Sequence, residues 1–328
     1  VAGAILQLLV ILLGTYGLSF SWKPLVRWRE RDFRQMIKQL PARSLDQGLD
    51  QIQVIVETKI ASSPMLGGAT AVSNYNNAYV LHTAPILLIG TAISTAFFPR
   101  MNARLSQGRP DLFRKEFLRT LRLLIWITLP VVVVSFFARA YLARLIFSRN
   151  STEISIIFGS LALAIFFRVL YAIISRWFYA QKDTRTPLIV SVIVIALNVV
   201  LAYSLSSSYG LQGLAIAQSI VAGTEVIILS IIMLIRDPKL FDRPFWNGVG
   251  RIISVTGFSL VTGYLAVQRF PLRVDDTGPF ALGGKLFMIG LSVFLVHLFI
   301  SWIFGLEEAR GFINKVRNFI YRPLKVEE

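Results

Sequence analysis

Eight apolar runs in this sequence are each long enough to cross a lipid bilayer as an α-helix. They fall at about residues 2–20, 74–98, 121–141, 155–180, 187–206, 212–235, 249–267 and 284–304. A spanning helix needs about 20 mostly apolar residues, because the bilayer core holds no water to hydrogen-bond exposed backbone groups. Only 16% of the 328 residues are charged, whereas a soluble domain carries about 25%. The pattern predicts an all-α membrane protein, a polytopic helical bundle.

The segment 41–61, PARSLDQGLDQIQVIVETKIA, is a ninth candidate span that carries several charges. The charge of the neighbouring gaps decides its interpretation. Gap 21–40 holds six Lys/Arg residues and gap 99–122 holds seven. Basic loops remain in the cytoplasm, and both gaps lie on one side only if 41–61 also crosses. We therefore predict nine spans, with the C-terminal end in the cytoplasm.

The net charge of +16 comes largely from basic residues in the gaps between apolar runs. This placement indicates contact with anionic membrane lipids rather than with nucleic acid. There is no cysteine, and the sequence lacks a GxSxG, HExxH or P-loop motif. No catalytic residue, metal site or cofactor of an enzyme is predicted, and a transporter is favoured.

The charged residues of segment 41–61 fall on one side of a helix. Arg43, Asp46, Asp50, Gln53 and Glu57 lie within about 80° of one another at 100° per residue. Ionised groups at bilayer depth cost free energy unless they face water or other charges. We expect this stripe to line a water-filled cavity. The alternative is a buried ion-pair cluster that only stabilises the packing.

Four further polar residues lie inside apolar runs and are candidates for the same space. Arg168 and Arg176 share a run, eight residues apart. Arg176 is close enough to the run's end to extend toward the membrane surface instead. Glu225 has no charge within ten residues in the sequence, and its alternative is a protonated, hydrogen-bonded carboxyl. Asn198 could equally form a hydrogen bond between helices.

The stretch RPDLFRKEFLRTLR (109–122) alternates apolar and basic residues at helical spacing. Such a pattern is typical of a helix that lies in the membrane interface. We expect Phe113, Phe117 and Leu121 to face lipid while the basic residues face the headgroups.

Residues 177–187, WFYAQKDTRTP, closely resemble the FYA-x-x-DTRTP element of the MviN/MurJ family of bacterial lipid II flippases. The segments 85–108 and 209–220 are similar to the eighth helix and the twelfth-helix entry of that family. In the element itself, formed by Asp183, Thr184, Arg185, Thr186 and Pro187, we expect Asp183 and Thr184 to cap the helix that Pro187 begins.

The resemblance implies the fold of multidrug/oligosaccharidyl-lipid/polysaccharide exporters, with this chain holding helices six to fourteen. Residues 1–40 would be the last helix of a first lobe and a basic cytoplasmic linker. Residues 41–236 would form a six-helix second lobe, and residues 237–328 two C-terminal helices with an amphipathic tail. It further implies a monomer with its first lobe, in the bacterial cytoplasmic membrane, that moves a lipid-linked sugar diphosphate for peptidoglycan synthesis.

Site roles follow from the same resemblance. Phosphate would be neutralised by Arg43 and Arg168. The wider substrate site would add Asp46, Asp50, Arg176 and Glu225. Coupling would use Na⁺ or the membrane potential, with Glu57, Asn198 and Gln218 as the candidate cation ligands.

The family's eighth helix usually carries an Arg five residues before its Pro, and this position is Val80 here. This departure leaves two other interpretations open. One is an exporter of another lipid-linked oligosaccharide or of drugs. The other is a membrane scaffold that transports nothing.

Overall fold

A computed structural model describes residues 2–15, 51–147, 149–276 and 278–312, together with positions 33, 37 and 48. Within these residues the chain is helical, with turns and short extended connections and no strand. The prediction of an all-α protein is thereby confirmed. The chain divides into two compact units, Val1–Pro41 and Ala42–Glu328. In the first unit the described structure is chiefly one apolar helix.

The described helices follow one another along the chain with short connections. They are α1 (Ala2–Thr15), α2 (51–61), α3 (Gly68–Pro85), α4 (Ala92–Ser106), α5 (Pro110–Phe137), α6 (Arg139–Ile146), α7 (Ser151–Ala180), α8 (Arg185–Arg236), α9 (Arg243–Arg269) and α10 (Gly278–Ile303). A π-helical segment, Ile86–Thr91, joins α3 to α4 directly after Pro85. Proline has no N–H to donate, so the normal helical ladder is interrupted at this point.

Six helical stretches among the described residues are long and apolar enough to cross a membrane. They are Gly68–Ser106, Pro110–Phe137, Ser151–Ala180, Arg185–Arg236, Arg243–Arg269 and Gly278–Ile303. With 52 residues, α8 is long enough for two spans. Gly210, at φ 62° and ψ −142°, breaks it into two legs. These legs correspond to the two predicted spans 187–206 and 212–235.

The turn between the two legs of α8 depends on glycine at two positions. Gly210 adopts a positive φ that L side chains rarely take. A Cβ at Gly213 would lie 2.1 Å from the backbone oxygen of Leu205. The two legs can therefore turn back closely on each other only because both positions lack a side chain.

The central element of the second unit is α7, which packs against α3, α5, α6 and both legs of α8. Its buried residues run from Ile154 to Phe178 and lie on more than one face of the helix. A helix that is apolar nearly all round is expected at the centre of a bundle. Next to its middle, Gly90 of the π-helical segment allows the backbone at Val169 to come close, because a Cβ there would lie 3.0 Å from Val169 Cα.

The interfacial helix predicted at 109–122 is wrong. Residues Pro110–Phe137 form one continuous helix, and Phe113, Phe117 and Leu121 are buried in the main core cluster. The apolar stripe was correctly located, but it packs against the core instead of lying on lipid. A stripe of this kind has the same spacing in both situations, so the sequence pattern alone does not distinguish them.

Candidate functional site: buried polar groups between α2, α7 and α8

The carboxylate of Glu57 lies at the centre of a buried polar cluster. Gln53 stands one turn earlier on α2, and its amide donates to Glu57 Oε1 at 3.0 Å. The hydroxyl of Tyr75 on α3 donates to Glu57 Oε2 at 2.9 Å. Asn198 on the first leg of α8 donates to Glu57 Oε1 at 3.2 Å. Glu57 is only 2% exposed, so these three donors replace the water that its oxygens would otherwise bind.

Gln218, on the second leg of α8, completes this group. Its Oε1 accepts a hydrogen bond from Asn198 Nδ2 at 3.1 Å and another from Gln53. The turn at Gly210 brings the two legs together, so that residues twenty positions apart in sequence meet. We refer to Gln53, Glu57, Tyr75, Asn198 and Gln218 as the Glu57 cluster. The structure thus brings together the three residues singled out as cation ligands and adds two more.

The two further members of the cluster differ in how visible they are in the sequence. Gln53 lies on the predicted polar stripe of segment 41–61 but was not assigned a role. Tyr75 was missed, although it belongs to the run SNYNN (73–77), which is unusually polar for a spanning helix. That run was the available signal.

The described part of the polar stripe faces other helices and not open water. Gln53 and Glu57 are buried, whereas Ile52 and Ile55 on the opposite side of α2 are exposed. For these two polar residues the packed alternative describes the structure, and the expectation of a water-filled cavity was wrong. Arg43, Asp46 and Asp50 lie outside the described residues.

A second buried group pairs Arg168 of α7 with Glu225 of α8. Arg168 Nη1 lies 3.1 Å from Glu225 Oε2, and Ser191 on the other leg of α8 donates to Glu225 Oε1 at 3.0 Å. The Glu225 side chain is 3% exposed and the Arg168 side chain 18%. We call Arg168, Glu225 and Ser191 the Arg168 pair. An opposite charge at this distance stabilises an ionised carboxylate that burial alone would disfavour.

Arg176 lies two turns further along α7 and contacts a different element. Its guanidinium donates to Ser94 Oγ and Thr95 Oγ1 on α4, each at 2.6 Å, and to the backbone oxygen of Ala172. These contacts hold it against α4, so it does not simply extend toward the membrane surface. Among the printed contacts Arg176 does not join Arg168, although both were predicted to serve one substrate site.

The DTRTP loop is held by the far end of α8. Asp183 Oδ1 accepts from the backbone N–H groups of Arg185 and Thr186, both at 3.0 Å, and so caps the helix as predicted. Thr184 occupies the N-cap position, yet its side chain forms no capping bond. Arg236 donates to Asp183 Oδ2 at 2.6 Å and to Thr186 Oγ1 at 2.7 Å.

The carboxyl of Asp183 is therefore strongly held in its ionised form. Partial burial would raise its pKa, but the hydrogen bonds from Thr186 and the nearby Arg236 outweigh this effect and lower the pKa below the ordinary aspartate value.

The position at which the family usually carries an arginine is turned away from these groups. Val80 is 62% exposed, on a helix long and apolar enough to span the membrane. Two residues further on, His82 is buried, and neither of its ring nitrogens has a hydrogen-bond partner within the described part of the chain. Neither residue supplies a positive charge to the Glu57 cluster.

The donor set of the Glu57 cluster suits a hard monovalent cation. It offers a carboxylate and amide oxygens, the ligand type that hard cations prefer. The described residues contain no cluster of three or more His, Cys, Asp or Glu side chains that could hold a metal ion. A cation with a high charge demand therefore finds too few anionic ligands here.

An apolar helical bundle that encloses an ion pair and a carboxylate–amide cluster defines a membrane protein of the transporter class. Solved structures with this fold agree. A lipid II flippase MurJ in an inward closed conformation matches with a TM-score of 0.66 and 21% identity, covering 92% of this chain and 60% of that chain. A MOP superfamily transporter from Pyrococcus furiosus matches with a TM-score of 0.53 and 11% identity, covering 85% of this chain and 68% of that chain.

The family follows from the sequence. The family model of MurJ, described as lipid II flippase MurJ, matches residues 1–272. The chain therefore belongs to the MurJ family, as the DTRTP element predicted.

Curated relatives are named probable lipid II flippase MurJ. The protein of Rhizobium meliloti (strain 1021) is 26% identical over 88% of this chain and 54% of its own length. That of Borreliella burgdorferi is 25% identical over 73% of this chain and 48% of its own. The chain thus spans about half the length of the curated relatives it matches.

Proposed function

We propose that this chain forms the second lobe and the last two helices of a lipid II flippase. Joined to its first lobe, it would move a polyprenyl-diphosphate-linked peptidoglycan precursor across the bacterial cytoplasmic membrane by alternating access. Family membership supports the reaction class. The six long apolar helices support a multi-pass location, and the excess of basic residues in alternate gaps supports a cytoplasmic C-terminus.

The observation that carries the proposal is the Arg168 pair. A guanidinium buried between spanning helices is costly, and such groups usually mark substrate or ion pathways. Arg168 retains 18% exposure while Glu225 is almost fully enclosed. The arginine is therefore the accessible member, and its planar fork suits a phosphate group. When substrate leaves, Glu225 is positioned to take the guanidinium back.

The Glu57 cluster would hold the coupling cation. Glu57 supplies the negative charge, and the amide oxygens of Asn198 and Gln218 supply neutral ligands after their side chains turn. A bound Na⁺ would offset the buried carboxylate and tie α2 to both legs of α8. If so, Na⁺ should raise the melting temperature of the full-length protein in detergent more than choline does, because a ligand of the folded state stabilises it. Glu57→Gln should abolish the difference, and equal effects of both cations would overturn the assignment.

A test of the transport proposal uses cells depleted of their own flippase. The full-length protein should restore growth, and the double variant Arg168→Gln/Glu225→Gln should not. Because both charges are removed together, neither is left buried without its partner, so the variant is expected to reach the membrane. Full rescue by the double variant would remove the proposed role of the pair.

A second candidate substrate comes from position 80. The missing arginine and the outward-facing Val80 favour a related lipid-linked oligosaccharide with a smaller charge. In that case the full-length protein would export such a lipid in reconstituted vesicles and would fail to replace the cell's flippase.

A further inference from the structure

A pocket of about 620 Å³ lies where α5 ends, α7 begins and α9 ends. Its walls are apolar and aromatic, and they include Phe137, Ile156, Tyr264 and Leu272. Ile156 precedes Arg168 by twelve residues on α7, which corresponds to about 18 Å of helix at about 1.5 Å per residue. The pocket is therefore separate from the Arg168 pair.

The pocket opens on a membrane-facing surface near the ends of spanning helices. Phe136, Ile156 and Tyr264 are exposed large residues on three of the helices that are long and apolar enough to span. Phe136 is next to the last residue of α5, Ile156 is near the start of α7, and Tyr264 is near the end of α9. Aromatic residues at such positions lie at headgroup level.

Arg139 stands at this pocket with its charge available. Its Nη1 donates to the backbone oxygen of Phe136 at 2.7 Å, and its guanidinium lies 4.9 Å from the centre of the Phe136 ring. None of the ion pairs formed within the described residues includes Arg139. The side chain lies flat on α7 at Gly159, where a Cβ would come within 2.5 Å of Arg139 Cδ. Glycine at this position thus makes room for the arginine.

We propose that this pocket binds an acidic glycerophospholipid. One acyl chain would fill the apolar space, and the phosphate would lie on the guanidinium of Arg139. A volume of 620 Å³ falls within the range of about 300–1,000 Å³ of pockets that enclose organic ligands. Arginine pairs with phosphate through its donor fork. Basic pockets between spanning helices are also a known way of holding acidic headgroups.

The test is lipid retention by the purified full-length protein, measured by native mass spectrometry after incubation with phosphatidylglycerol or phosphatidylcholine. We expect phosphatidylglycerol to be retained in preference to phosphatidylcholine. Arg139→Gln should lower its retention about tenfold or more, because a charge-assisted hydrogen bond is lost. Gly159→Ala should lower it as well, since the new methyl group displaces the arginine without changing any charge. Arg149→Gln, which removes an exposed charge near the same end of α7, is the matched control.

The readout is binding alone, so it is independent of the proposed transport. The inference is overturned if Arg139→Gln retains as much phosphatidylglycerol as Arg149→Gln, or if phosphatidylcholine is retained equally well. It is also overturned if a polyprenyl diphosphate displaces phosphatidylglycerol one for one, because the pocket would then belong to the substrate. If Arg139→Gln does not fold, Gly159→Ala decides the question, since alanine is a better helix former than glycine.

Discussion

The bundle interior and the loop end of α8 both carry ion pairs, but the two sets lie in different surroundings. In the Arg168 pair the carboxylate is almost fully enclosed. At the loop end, Arg236 pairs with Asp183, and the adjacent Asp237 pairs with Arg114 of α5 at 2.8 Å, with all four side chains partly exposed. We call these four residues the α8 end group. Exposed pairs are screened by water and salt, whereas enclosed ones are not.

This difference indicates different roles. The α8 end group connects α5, the DTRTP loop and the end of α8, and an exposed pair typically contributes only about 0.2–1 kcal/mol. Such contacts can open and close at little cost. The Arg168 pair and the Glu57 cluster instead hold groups that cannot lose their partners without a large penalty. Groups of that kind are suited to a site whose ligand replaces one partner by another.

The largest expected effect is on breaking the Arg168 pair from one side. Arg168→Ala leaves the carboxylate of Glu225 enclosed without its cation and should lower the free energy of unfolding by about 3–5 kcal/mol. Thermal unfolding of the full-length protein in detergent measures this. The double variant Arg168→Gln/Glu225→Gln should lose much less, and Arg149→Ala should lose almost nothing. An Arg168→Ala protein as stable as Arg149→Ala would show that the pair is not enclosed as described.

A smaller effect is expected in the Glu57 cluster. Asn198→Ala removes one donor each from Glu57 and Gln218 and should cost about 1–3 kcal/mol, because buried polar atoms lose a partner. Ser207→Ala, at an exposed position in the turn region of the same helix, is the control. Equal melting temperatures for the two variants would indicate that water or an ion already satisfies the cluster.

The smallest effect should arise at the α8 end group, and it should depend on pH. The folded pKa of Asp183 lies below its ordinary value. Its contribution to stability is therefore present above about pH 4, the ordinary aspartate range, and is lost as the pH falls through the folded pKa. Hydrogen exchange of the backbone amides of Arg185 and Thr186 should accelerate over that range. In Asp183→Asn exchange should be faster at neutral pH and nearly independent of pH protonation effects in the fold, once intrinsic exchange rates are corrected. An unchanged protection profile in Asp183→Asn would refute the capping role.

Local features of the fold could be predicted from the sequence because they depend on spacing. The burial of Glu57 and the exposure of Ile55 follow from helical periodicity, and the cap by Asp183 follows from the chemistry of helix starts. The position of the turn in α8 was anticipated by the gap between two apolar runs.

Partnerships between distant helices could not be predicted in this way. Glu225 has no neighbouring charge in sequence, and its partner Arg168 lies 57 residues earlier. Periodicity identifies the buried face of a helix but not which helix covers it. For the same reason the apolar stripe of Phe113 and Phe117 was placed on lipid, although the core of the bundle covers it.

The most direct test of the central claim is the rate at which full-length protein flips fluorescent lipid II in proteoliposomes. The account predicts flipping by the wild type and none by the folded Arg168→Gln/Glu225→Gln variant, because the substrate diphosphate would have lost its buried cation. Arg149→Gln should flip at the wild-type rate. Flipping by the folded double variant at the wild-type rate would contradict the account.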